Sequence, residues 1–161
     1  SRTGTMSAAA DGAAGAAELR AALALLALAT KDEMAPARDG LPGAEGFVVV
    51  RQPEYGLVMA RGRIGGGGAP FNLGEVTVTR AVVRLTSGEV GFGHVLGRDK
   101  ERAELVARLD ALWQAAGTRD AVEAAVLAPV RRRLAEEDAA TRRRTEATRV
   151  NFFTLVRGED P

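Results

Sequence analysis

GLVMARGRIGGGGAPFNLGEVTVTRAVVRLTSGEVGFGHVLGRDK, residues 56–100, decides the fold. Its β-branched runs alternate with glycine-containing turns. Over Leu57–Ile64, Leu57, Met59, Arg61 and Arg63 fall on one strand face, and Val58, Ala60, Gly62 and Ile64 on the other. A loop at Gly65–Gly74 leads to a long strand at Glu75–Leu85, and Thr86-Ser87-Gly88 turns the chain into another at Glu89–Leu96. Upstream, Phe47–Gln52 reads as a strand closed by a Pro53-Glu54-Tyr55-Gly56 turn. Strands joined by connections this short pair antiparallel, so the pattern predicts a meander of about four strands. Within Glu75–Leu85, Val76, Val78, Arg80, Val82 and Arg84 share one face, whereas Ala81, Val83 and Leu85 share the other. Such a strand is either covered on both faces or switched by a bulge near Arg80. Coverage on both faces over part of its length is favoured, with a partner chain able to supply the second layer.

Working outward, Gly97 ends the sheet and Asp99 is a candidate N-cap. The helix after it carries Leu105, Val106, Leu109, Leu112, Trp113 and Ala116 at helical spacing, a stripe suited to packing on the sheet. Gly117 stops it, Thr118 opens a short helix to Ala128, and Pro129 suits the first turn of a last helix reaching Thr148. The tail Val150–Val156 returns to β-type apolar residues. On the N-terminal side, residues 1–17 are alanine- and glycine-rich and are expected to be disordered. Glu18–Thr30 reads as a helix with a broad leucine face, and Lys31–Gly46 as a loop. The expected architecture is α+β: one domain over residues 18–161, with an antiparallel meander, helices mainly on one face, and an apolar C-terminal segment.

Composition removes several kinds of chemistry. There is no cysteine, so disulfides, thiolate zinc sites, a cysteine nucleophile and a cysteine-held iron–sulfur cluster are excluded. His94 is the single histidine and cannot build a histidine-based metal site alone. No metal and no cofactor are expected on this chain. Lys and Arg number 22 against 21 Asp and Glu, so no strong field points to nucleic acid or an anionic membrane. The apolar run Ala21–Ala29 falls short of the ~20 residues of a spanning helix. No leader pattern is seen, a cytoplasmic location is expected, and the opening Ser1–Thr5, without an initiator Met, reads as a truncated or vector-derived start.

Five cations are candidates for an anionic substrate. Arg61 and Arg63 precede the Gly65–Gly68 run, whose amides are able to cradle an anion. No Gly-Lys-Ser/Thr follows, and a strand follows in place of a helix, so a Walker-type loop is ruled out. The plain alternative is a hairpin connection. Arg80, within an apolar strand, needs a carboxylate, a carbonyl cluster, solvent or a partner. Arg98 and Lys100 open a helix, where amides and basic side chains together favour anions, although a capped solvated turn accounts for them as well. His94 lacks any neighbour in sequence to orient it as a base and reads as a packed or surface residue. The arginines of the last helix alternate with Glu136, Glu137, Asp138 and Glu146 and lack stacking aromatics, so a solvated face is expected and not a nucleic-acid interface. The tail, through Phe152, Phe153, Leu155 and Arg157, is the candidate partner interface. No residue stands out as catalytic.

Residues 56–100 resemble, almost position for position, the G-subunit family of the bacterial carbon–phosphorus lyase core complex (PhnG), and the resemblance resumes at Arg149–Gly158. The two blocks cover roughly a third of the chain, far more than a short motif. The resemblance implies a role in phosphonate catabolism beside H, I and J subunits. In that system the G, H and I subunits support displacement of adenine from ATP by a phosphonate, giving a ribose 1-phosphonate 5-triphosphate. That chemistry is attributed mainly to the I subunit, and the J subunit later cleaves the carbon–phosphorus bond with S-adenosylmethionine and an iron–sulfur cluster. The family generally has a bulky aromatic where this chain has His94. The resemblance thus implies an assembly and site-shaping subunit. The competing readings are a stand-alone module for a small anion and, behind it, a nucleic-acid binder.

Overall fold

The computed structural model describes residues 4–63 and 70–157. In chain order these form α1 (Gly4–Leu28), α2 (Lys31–Gly40), β1 (Phe47–Arg63), β2 (Pro70–Leu85), β3 (Val90–Leu96), α3 (Lys100–Gln114), the short α4 (Arg119–Val122), a π-helical turn at Glu123–Leu127, and α5 (Ala128–Arg157). The expected α+β class holds, with an antiparallel sheet in the order β1-β2-β3.

Among the described residues the sheet has three strands where about four were expected. Pro53–Gly56 does not turn the chain, and β1 runs straight through it. Between the pairs Val49↔Val83 and Glu54↔Arg80, β1 uses five steps against three in β2, so two residues are absorbed as bulges. β1 is an edge strand, and Pro53 lies where its register already slips, so the missing N–H of proline need not break the strand.

Helix α3 lies along one face of the sheet. Ala103, Val106, Leu109 and Leu112 pack there with Ala81, Val83, Leu85 and Val95 in one buried core. Two glycines of β3 permit the approach. A Cβ on Gly91 would stand 1.9 Å from the Ala107 carbonyl oxygen, and one on Gly93 1.8 Å from that of Ala103. The same helix closes the free edge of β3. Asp110 accepts the Phe92 N–H (2.9 Å), Gln114 donates to the Val90 carbonyl (2.9 Å), and Arg102 donates to the Leu96 carbonyl (3.3 Å). An edge strand is thereby supplied with partners from side chains.

Lys31–Gly40, expected as loop, is helical. Thr30 and Glu33 form a capping box: Thr30 Oγ1 accepts the Glu33 N–H (3.1 Å) and Glu33 accepts the Thr30 N–H (3.0 Å). The reciprocal cap supplies two orphan donors and starts a helix that tolerates Pro36. Glu33 also receives Arg133 Nη2 of α5 at 2.9 Å, and the same nitrogen donates to the Leu28 carbonyl of α1 (2.9 Å). The Arg133 guanidinium therefore ties three helices. The pKa of Glu33 is lowered, chiefly by the hydrogen bonds from Arg133. A carboxyl depressed in the folded state stabilises above its unfolded pKa, and that contribution is lost as pH falls through the folded value. Glu33→Ala is expected to cost about 1–3 kcal/mol at pH 7. Urea melts at pH 7 and pH 3 check this, and an equal loss at both pH values would contradict it.

The termini differ from expectation in the same direction. Helix α1 begins at Gly4 and passes through the segment expected to be disordered, with side chains exposed over Ala14–Glu18. Alanine favours helix without needing burial. Helix α5 runs on to Arg157, so Val150–Val156 is helical and not β-type. Neither Gly nor Pro interrupts the sequence between Pro129 and Gly158. Pro129 sits just after the π turn, in which the Ala128 N–H reaches the Glu123 carbonyl. Proline has no N–H for the Ala125 carbonyl, and the wider turn fits that deficit.

Candidate functional site

The face of the sheet turned away from α3 holds the site. Cross-strand partners share a face, so the pairings set Glu54, Arg80 and His94 in one row, Arg51, Val82 and Phe92 in the next, and Gly56, Val78 and Leu96 in a third. Along β3, Gly91, Gly93 and Val95 are buried while Phe92, His94 and Leu96 are exposed. Phe92 is 54% exposed, Leu96 66% and Val48 57%, high values for large apolar side chains. Over the three-stranded part the chain's own helices therefore cover one face and leave the other largely bare, while in the β1–β2 extension Leu57 and Met59, in the opposite phase, are exposed as well. Double coverage was expected over part of β2, and within this chain Val78, on the bare side, is fully buried.

A cleft of about 400 Å³ lies on this face, lined by Arg51, Val58, Arg80, Val82, Phe92 and His94. Gly56 shapes it. A Cβ at that position would meet the Arg80 guanidinium at 3.2 Å, so the glycine gives the arginine room to lie across the strand. Among the described residues no ion pair involves Arg80, whereas Arg51 pairs with Glu54 at 3.3 Å.

The other predicted cations lie elsewhere. Arg98 and Lys100 stand over the Tyr55 ring, at 5.3 and 4.8 Å from its centroid. Tyr55 pairs with Thr79, in the opposite phase of the strand from Arg80. The first turn of α3 already holds a carboxylate: Asp99 accepts the Arg102 N–H (3.0 Å), and Lys31 bridges Asp99 and Glu101, both at 3.1 Å. The favourable position for an anion at a helix start is thus filled internally. Arg61 is exposed on the stretch of β1 that extends past β3. The Arg63 side chain and the loop at 64–69 lie outside the described residues, as do the side chains of Phe152, Phe153, Leu155 and Arg157. The four cations with described side chains are therefore not gathered into one site, and of these Arg80 alone lines the cleft.

Arg51 and Phe92 are the cleft residues that sequence reasoning missed. Arg51 precedes an expected turn, and only the bulges of β1 bring it opposite Val82. Phe92 was placed on one face with His94 and Leu96, which the structure bears out, but nothing in the sequence showed that face to be bare. Among the described residues no three His, Asp or Glu side chains gather as a metal site, and no helix is long and apolar enough to cross a membrane.

Fold and site together define an α+β domain of one sheet and one helical layer, with an apolar and cationic sheet face left open. The chain belongs to the PhnG family: the family model described as "Phosphonate metabolism protein PhnG" matches residues 17–158. A relative from Rhizobium meliloti (strain 1021), described as "Alpha-D-ribose 1-methylphosphonate 5-triphosphate synthase subunit PhnG", is 54% identical over 147 residues, covering 91% of this chain and 94% of the relative.

Proposed function

We propose that this chain is the G subunit of an α-D-ribose 1-methylphosphonate 5-triphosphate synthase serving phosphonate catabolism, and that it acts by assembly and site-shaping. The single observation that carries the reading is 54% identity to a named subunit of that synthase along nearly the whole of both chains. The bare sheet face supports the assembly role, since a sheet with one solvated apolar face is usually completed by a second layer. The described residues bring together no nucleophile with a base and no pair of carboxylates in a cleft, so bond making is assigned to another subunit. Cofactor chemistry is assigned elsewhere too, because one histidine and no cysteine leave few ligands here. Of the five candidate cations, Arg80 is retained because it lines the cleft of the bare face.

H, I and J subunits from the same genome are the proposed partners. Co-expression with the tagged chain is expected to recover the I subunit in stoichiometric amount, and its addition to the purified chain to raise the Tm by mass action. Recovery of the chain alone, folded and with an unchanged Tm, would sink the reading in favour of a stand-alone anion-binding module. Affinity for DNA or RNA falling steeply with salt would instead favour a nucleic-acid binder.

A further inference from the structure

The bare sheet face has three properties that together specify what covers it. Its apolar part is large: Val48, Phe92 and Leu96 are each more than half exposed. With ~3.4 Å per residue and ~4.8 Å between strands, the three-stranded part and the β1–β2 extension cover roughly 600 Å² in plan, approaching the ~800 Å² per partner of a stable interface before side-chain relief is counted. Its charge is one-sided. Arg51, Arg80 and Arg84 lie in the rows of this face with His94, against one acid, Glu54, which is already paired with Arg51. Its central cation is also built in, since Gly56 makes room for the guanidinium of Arg80.

Resting on the subunit reading above, we infer that this face is the docking surface for another subunit that presents carboxylates within an apolar patch. A second copy of this chain would set arginines against arginines, and like charges across an interface are costly. A partner acid reaching Arg80 would gain a bidentate, charge-assisted pair over the cleft, with Phe92 and Val82 supplying the apolar contact around it. Over the three-stranded part, the face opposite, beneath α3, is filled by the chain's own core.

The test is recovery and affinity of the partner subunits co-expressed with the tagged full-length chain. Phe92→Asp and Arg80→Glu are each expected to lower partner affinity at least tenfold while leaving circular dichroism and Tm within a few degrees of the parent. Leu57→Asp, in the opposite phase of β1, is the surface control and is expected to bind as the parent does. The Arg80→Glu loss is expected to be larger at 50 mM than at 500 mM NaCl, as a charge contact requires. Parent-like binding by both bare-face variants, or loss confined to Leu57→Asp, would overturn the inference while leaving the subunit reading intact. If the parent itself recovers no partner, the subunit reading fails and the inference with it. Saturable binding of tripolyphosphate by the purified chain, abolished in Arg80→Gln, would overturn it in favour of a small-anion site.

Discussion

Gly93→Ala is expected to prevent native packing of α3. The added methyl would lie 1.8 Å from the Ala103 carbonyl oxygen, 2.8 Å from its carbonyl carbon and 3.1 Å from the Ala107 nitrogen. All three are backbone atoms, so no rotamer change relieves the overlap, and the helix must move off the sheet. Overpacking of a close-packed core typically costs 1–3 kcal/mol. With backbone as the obstacle and α3 at the centre of the core, a loss of at least about 3 kcal/mol is expected, enough to threaten folding of a marginally stable domain. His94→Ala, one residue along and exposed, is the control and is expected to stay within about 0.5 kcal/mol. Thermal melts of both variants decide the matter. A further variant sharpens it: adding Ala103→Gly removes a side chain but not the obstructing carbonyl, so it is not expected to rescue Gly93→Ala. Rescue would show that α3 sits less tightly than the structure has it.

Asp110→Asn is expected to stabilise the protein at neutral pH. Asp110 is fully buried, and burial pushes its carboxyl up to about 6 against the hydrogen bonds from Phe92 N–H and Gln114. Its Oδ2 serves both donors, at 2.9 and 3.1 Å, while Oδ1 has no partner among the described residues. A carboxyl raised in the folded state binds its proton more tightly there than in the unfolded chain. Its contribution is fully present below the unfolded pKa near 4, declines as pH rises toward about 6, and stays lost above that. At 1.36 kcal/mol per pKa unit the decline amounts to about 3 kcal/mol. Asparagine keeps an acceptor oxygen for Phe92 and Gln114 and carries no charge to desolvate, at the cost of placing an amide where Oδ1 stood. A net gain of about 1–3 kcal/mol at pH 7 is expected, vanishing or reversing at pH 4. The variant-minus-parent difference isolates this group from carboxylates of opposite sign such as Glu33. A difference that is flat from pH 4 to pH 7 would contradict the burial argument.

Both predictions concern the place where α3 meets β3, and that contact was half legible beforehand. Leu105, Val106, Leu109 and Leu112 announce a helix face because their spacing matches the helical period. Asp110 in the same stretch carries no such signal, because its value lies in an N–H presented by a different element. The capping box of Thr30 and Glu33 was present in the letters, but Pro36 and the glycines after it suggested a loop, and the local cap prevailed. At Pro53 the reverse held: a strong turn signal yielded to pairing along an edge strand. The resemblance carried by residues 56–100 and 149–158 extends to a family match over residues 17–158, so the family could be read from the sequence.

The antiparallel order of the strands, the helical stripe of α3 and the exclusion of thiolate chemistry were determined by the sequence alone. Short connections constrain how neighbouring strands pair, a regular apolar period marks a helix face, and an absent residue type supplies no ligand. Which face of the sheet stays bare, and which arginine stands in its cleft, only the tertiary structure decided. One bulge in β1 brings Arg51 beside Val82 and a second brings Glu54 beside Arg80, and Gly91 and Gly93 let α3 lie close on one side of β3. A one-residue change of register carries every later side chain to the opposite face, so the position of a cation in the sequence does not reveal the surface it serves.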